Sequence, residues 1–121
     1  MILEQTVQHY IQLWNEKNPA ARRAQIEQLF THDCTYTDPL AAVSGRDGID
    51  EFIVAAQRQL AGLEFSLAGK VDVHHEVARF TWHARAGAGE PVVIGFDVVV
   101  AERGKIKQVV GFIDRAPQGA V

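Results

Sequence analysis

Everything after Gly62 alternates in a strand period, whereas most of what precedes it repeats every three or four residues, and that change constrains the fold more than any other feature. Ahead of it, Leu3, Val7, Tyr10, Ile11 and Trp14 recur three or four apart, with Glu4, Gln5, Gln8, Gln12 and Glu16 between them. That spacing predicts an amphipathic helix, closed by the stretch Asn15 to Pro19. A shorter helix is expected from about Ala20 to Phe30, with a modest stripe of Ile26, Leu29 and Phe30. A third should start near Asp47, with a cap to Asp50, and carry Ile49, Phe52, Ile53, Ala56 and Leu60 on one face. Gly62 stops it.

Beyond Gly62 the pattern is alternation. Leu63, Phe65 and Leu67 lie two apart, Gly69 breaks the register, and Val71, Val73 and His75 resume it, which predicts one long strand with a bulge or bend. Residues 76–86, 91–101 and 105–114 follow as strands, divided by the run Gly87 to Pro91 and by Arg103-Gly104. Residues 33–38, DCTYTD, form a small strand or extended arm that Pro39 ends, with Cys34, Tyr36 and Asp38 on one side. Each element has a single apolar face, so the economical packing lays the helices into the concave side of a bent sheet. The expected fold is α+β: a cone-shaped curved antiparallel sheet enclosing a pocket covered by three N-terminal helices. The outer sheet face then needs a cover, which motivates a homodimer.

At 121 residues the chain should form a single domain over 1–121 with a real core and a small cavity. Twelve Lys plus Arg against fifteen Asp plus Glu give a net charge of -3, and Arg22-Arg23 is too short for a basic patch, so no nucleic-acid partner is expected. The single cysteine, Cys34, allows neither an intramolecular disulfide nor a four-cysteine zinc site, and a small buried hydrophobe is the simpler reading. No cationic leader or continuous apolar span is visible, so the expectation is a cytoplasmic protein with no membrane association. His32, Asp33 and Cys34 are contiguous rather than at metal-ligand spacing, and no GxGxxG or P-loop occurs, so neither a metal nor a cofactor is expected.

Asp97 interrupts the apolar run VVIGFDVVV and shares a strand face with Val93, Gly95 and Val99. A carboxylate there must be partnered, protonated or open to a cavity. It could be an acid on a wetter sheet face, or a neutral acid in a dry pocket with Gly95 leaving room beside it. Asp38, in a TDP sequence, could equally mark a turn. Tyr10 lies on the stripe of the first helix, where its ring packs and its hydroxyl seeks a partner, Asp97 being one. His9 reads as a surface residue and His74 and His75 as solvated. His83 lies opposite the face of Phe80, Trp82 and Ala84 and could look toward the cavity or the outer surface.

The stretches VQHYIQLWNEKN, FTHDCTYTDPLA, GRDGIDEFI and GFDVVVAERGKIKQVVGFIDR together resemble the nuclear transport factor 2-like superfamily, in its SnoaL-like and ketosteroid-isomerase-like branches. The resemblance covers nearly the whole chain. Ketosteroid isomerases carry a helical tyrosine, an aspartate base at an Asp-Pro motif and a protonated late-strand aspartic acid, and the matching stretches here supply Tyr10, Asp38 and Asp97. The resemblance implies that Asp38 removes a proton alpha to a carbonyl while Tyr10 and neutral Asp97 donate hydrogen bonds to the enolate oxygen. It implies a small hydrophobic substrate or ligand, held by Trp14, Tyr36, Phe52, Phe65 and Phe112, and no cofactor. An isomerase or a polyketide-cyclase-like enzyme ranks first. A noncatalytic binder of small hydrophobes comes next, then an epoxide-hydrolase-like enzyme using Arg79 or Arg85 between two aspartates, and a dimeric scaffold.

Overall fold

Gly62, at φ +87°, divides a first half of three helices and two strands from an all-strand second half. The structure, a computed structural model, describes residues 2–117. Its elements run α1 (Leu3–Leu13), α2 (Pro19–Leu29), β1 (Phe30–Thr37), β2 (Ala42–Ser44), α3 (Gly45–Gln59), β3 (Glu64–His74), β4 (Val77–Arg85), β5 (Val93–Glu102) and β6 (Lys105–Arg115). The strands form one curved sheet in the order β2-β1-β6-β5-β4-β3. Neighbours are antiparallel except β1 and β6, which run parallel. The helices fill the concave side, giving the cone expected from the sequence.

Polar side chains tie the helices at their ends, where backbone groups lack helical partners. Asn18 accepts from the Ala21 N–H and Pro19 opens α2. At the exit of α1, Asn15 Nδ2 donates to the Phe65 carbonyl and Asn15 Oδ1 accepts the Phe65 N–H, both at 2.8 Å, so one side chain pairs with β3 as a strand would. Gln57 of α3 donates to the Trp14 and Glu16 carbonyls. Arg46 Nη2 donates to the Phe30 carbonyl at 2.7 Å.

Three expectations need correction. The short arm at 33–38 is an eight-residue strand that begins at Phe30, whose ring is fully buried while its N–H closes α2 on the Ile26 carbonyl. The proposed cap of α3 does not form: Ser44 stands at its start without a side-chain bond, while Asp47 and Asp50 turn to Arg23 and Arg22 of α2. Guanidinium partners hold these carboxylates more strongly than an amide would. Phe112, expected in the pocket, lies on the outer face, 47% exposed and stacked on Phe96 at 5.0 Å. Counting by twos from the buried Ile106 would put it inside. A register shift opposite Val100 and Ala101 inserts an extra residue in β6, so Val109, Gly111 and Ile113 turn inward.

The bulge expected at Gly69 is present: φ is +80°, and the pairing of β3 with β4 shifts between Ala68 and Asp72. Cys34 is fully buried, and that burial pushes its thiol pKa up, as suits a core side chain.

Candidate active site

Sheet register brings two acids together. Thr37 pairs with Val110 and Asp97 pairs with Gly111, so Asp38, one residue past Thr37, arrives beside Gly111 on the opposite side from Asp97. A Cβ on residue 111 would lie 2.8 Å from Asp97 Oδ1 and 3.4 Å from Asp38 Cβ. Glycine is therefore what admits both carboxyl groups to one region of the sheet.

Their surroundings differ. Asp97 is 4% exposed; Trp82 Nε1 donates to its Oδ1 at 3.1 Å and the Tyr10 hydroxyl to its Oδ2 at 3.4 Å. Burial pushes its pKa up to about 7, the negative charge of Asp38 adding to the effect and the two donated bonds opposing it. Tyr10 is fully enclosed, touching Trp14, Phe30 and Phe80 edge-on, and burial followed by the charge of Asp97 raises its pKa. Asp38 is half-buried and holds three donors. Its Oδ1 accepts the Leu40 and Ala41 N–H groups at 2.8 and 3.0 Å, and its Oδ2 accepts the Tyr36 hydroxyl at 2.7 Å. The first two bonds form a turn closed by the Asp38 N–H to the Ala41 carbonyl.

Both acids line a cavity of about 340 Å³ between the helices and the sheet. Trp14 just past α1, Tyr36 of β1, Phe52 of α3, Phe65 of β3 and Trp82 of β4 form its aromatic wall, with neighbouring rings 5.1–5.9 Å apart. Among the described residues that line it, none is basic. Tyr10 stands behind Asp97 and is not part of the wall. Burial also raises the Tyr36 pKa, so its hydroxyl stays a donor at ordinary pH.

Of the residues expected from the sequence, Trp14, Tyr36, Asp38, Phe52, Phe65 and Asp97 meet at this cavity, and Tyr10 reaches it only through Asp97. Phe112 does not. Arg79 pairs with Asp72 on the exposed surface and Arg85 bonds His83 and the Gly89 carbonyl, so neither stands between the two aspartates as an epoxide-hydrolase set requires. His83 belongs to the face opposite the cavity wall. Sequence reasoning missed Trp82 and Gly111. Trp82 shares the inward parity of Phe80 and Ala84, and a buried indole N–H needs an acceptor; Gly111 is read only once the register is known.

Among the described residues, no group of three or more His, Cys, Asp or Glu is placed to hold a metal ion, and no helix is long and apolar enough to cross a membrane. The sequence matches the SnoaL-like domain family over residues 7–109. No curated protein matches it. Among solved structures, a SnoaL-like family protein from Agrobacterium tumefaciens, provisionally assigned as an isomerase, is 37% identical, with a TM-score of 0.86 over 91% of this chain and 95% of that one. A provisional SnoaL-like polyketide cyclase from Jannaschia sp. CCS1 superposes with a TM-score of 0.71 at 16% identity, over 92% of this chain and 86% of that one. A provisional ketosteroid isomerase from Kribbella flavida gives 0.70 at 14%, over 94% and 78%. The last two likenesses establish the fold, while the family match carries the assignment: the chain belongs to the SnoaL-like family.

Proposed function

We propose that this protein is a cofactor-independent isomerase or polyketide-cyclase-like enzyme that moves a proton on a small, largely apolar carbonyl compound. One observation carries the reading. Two carboxyl groups in unlike surroundings flank Gly111 in an aromatic-walled cavity, and the buried one has a pKa near neutrality, where a group can both take and return a proton. The provisional isomerase assignment of the 37% identical Agrobacterium protein points the same way. The aromatic wall would place the substrate and exclude water.

The test is deuterium incorporation from heavy water into a panel of cyclic ketones and β,γ-unsaturated ketones, followed by proton NMR. Protein-dependent exchange alpha to the carbonyl is expected, and none across the panel would end the reading.

A noncatalytic carrier of small hydrophobes is the second reading. It is favoured by the saturation of the polar atoms: each oxygen of Asp38 and of Asp97 already accepts a hydrogen bond from the protein. A ligand that copurifies and is recovered unchanged after long incubation supports it. In either case we expect a homodimer, closed over the outer sheet face where Phe96 and Phe112 stack, in the reducing cytoplasm that suits a lone cysteine.

A further inference from the structure

We propose that the cavity takes a small organic cation, a tertiary or quaternary ammonium group on an apolar body, held by the aromatic rings and by the carboxyl groups of Asp38 and Asp97. This deepens the reading of the cavity as a site for a small, largely apolar compound, and rests on it. Charge balance is the first reason. Both acids line the cavity and none of the described lining residues is basic, so the wall offers nothing to pair with an anion. A buried carboxylate without a cationic partner is costly. Without a ligand, Asp97 meets that cost by holding its proton, burial having pushed its pKa up to about 7 with the charge of Asp38 adding to the effect. A cation seated beside the two acids would offset both charges, and the net charge of -3 on the chain favours its approach.

The donors around the acids are already engaged. Trp82 Nε1 and the Tyr10 hydroxyl donate to Asp97, while the Tyr36 hydroxyl and the Leu40 and Ala41 N–H groups donate to Asp38. Gln59, the other polar side chain of the lining, is exposed at the end of α3. What the two acids and the rings present is carboxyl lone pairs and π faces, and both attract positive charge. Ring geometry suits a rounded group. Trp14 lies 5.7–5.9 Å from Tyr36, Phe52 and Phe65, and the neighbouring rings of the wall are inclined to one another by 41–85°, so they surround a space instead of stacking across a flat slot. An alkylammonium head can meet several such faces at once, within the roughly 6 Å over which a ring attracts a cation.

Trp14 and Trp82 are the two tryptophans of the chain and both line the cavity, so intrinsic fluorescence reports its occupancy. The experiment titrates the wild type with phenyltrimethylammonium, with tert-butylbenzene, which has the same shape and no charge, and with benzoate. The ammonium ion is expected to bind tighter than tert-butylbenzene by about tenfold or more, and benzoate not to bind. Phe52→Leu, checked for fold by circular dichroism, removes a π face and keeps an apolar side chain. Its affinity for the ammonium ion should fall roughly threefold or more, with a smaller change for tert-butylbenzene. Equal losses for the two ligands would overturn the role of the rings. Tert-butylbenzene binding as tightly as the ammonium ion, or benzoate doing so, overturns the cation while leaving the cavity as a site for apolar compounds. If none of the three binds the wild type, both the cation and that reading fall.

Discussion

The indole of Trp82 occupies the space that Gly95 leaves on the neighbouring strand: the two residues pair across β4 and β5, and a Cβ on residue 95 would meet the Trp82 ring and lie 2.6 Å from the Phe112 carbonyl oxygen. A glycine beside Asp97 reads in sequence as empty room. Its vacancy is filled by a neighbour that then hydrogen-bonds Asp97.

Gly95→Ala should therefore push the indole away and cost roughly 1–3 kcal/mol through overpacking. The bond to Asp97 should lengthen with it, moving the Asp97 titration upward. Chemical denaturation and carboxyl ¹³C NMR on one sample check both effects, and an alanine variant of wild-type stability would refute the close packing.

Stability should fall as pH rises because of Asp97. Its pKa is raised in the fold to about 7 from an ordinary 3.8, so the folded state holds the proton over a range where the unfolded chain has released it. The stabilising contribution is complete below about pH 4 and is lost as pH climbs through 7, a change on the order of 4 kcal/mol for this one group. Asp97→Asn retains an acceptor for Trp82 and cannot ionise. Urea unfolding at pH 5 and pH 8 should show a smaller decline for the variant than for the wild type, and equal declines would contradict the assignment.

Arg22 and Arg23 are adjacent in sequence and unequal in structure. The Arg22 side chain is 7% exposed, donates to Asp50 at 2.7 Å and reaches the Glu16 carbonyl, whereas that of Arg23 is 38% exposed and pairs with Glu27 and Asp47 at the surface. Arg22→Met leaves the largely buried Asp50 with only the 3.9 Å contact of Arg23 and should cost about 3 kcal/mol. Arg23→Met should cost less than about 1 kcal/mol. Denaturation midpoints of the two variants compare them directly; similar losses would mean that burial of the first ion pair does not matter.

Phe112 should govern association, not chemistry. Its exposed ring stacks on Phe96 outside the cone, and the cavity wall is formed by other side chains. Light scattering is expected to show a dimer for the wild type and a monomer for Phe112→Asp. Deuterium exchange per chain should survive in that variant. A wild-type monomer, or a variant that remains dimeric, would remove the outer face as the interface.

Local periodicity settled much of this protein in advance. The three helices, the four long strands after Gly62, the bulge at Gly69 and the shared face of Val93, Gly95, Asp97 and Val99 all follow from repeats of 3.6 or 2 residues within one element, which need no knowledge of neighbours. The family resemblance added Tyr10 and Asp38 beside Asp97. Tertiary structure alone decided the remainder, because it depends on register between segments far apart in the chain. The parallel pairing of β1 with β6 carries Asp38 to Gly111, one extra residue in β6 turns Phe112 outward, and the match of Trp82 to Gly95 gives Asp97 its donor. A shift of one residue in a strand exchanges its two faces, and no local pattern records where such a shift falls.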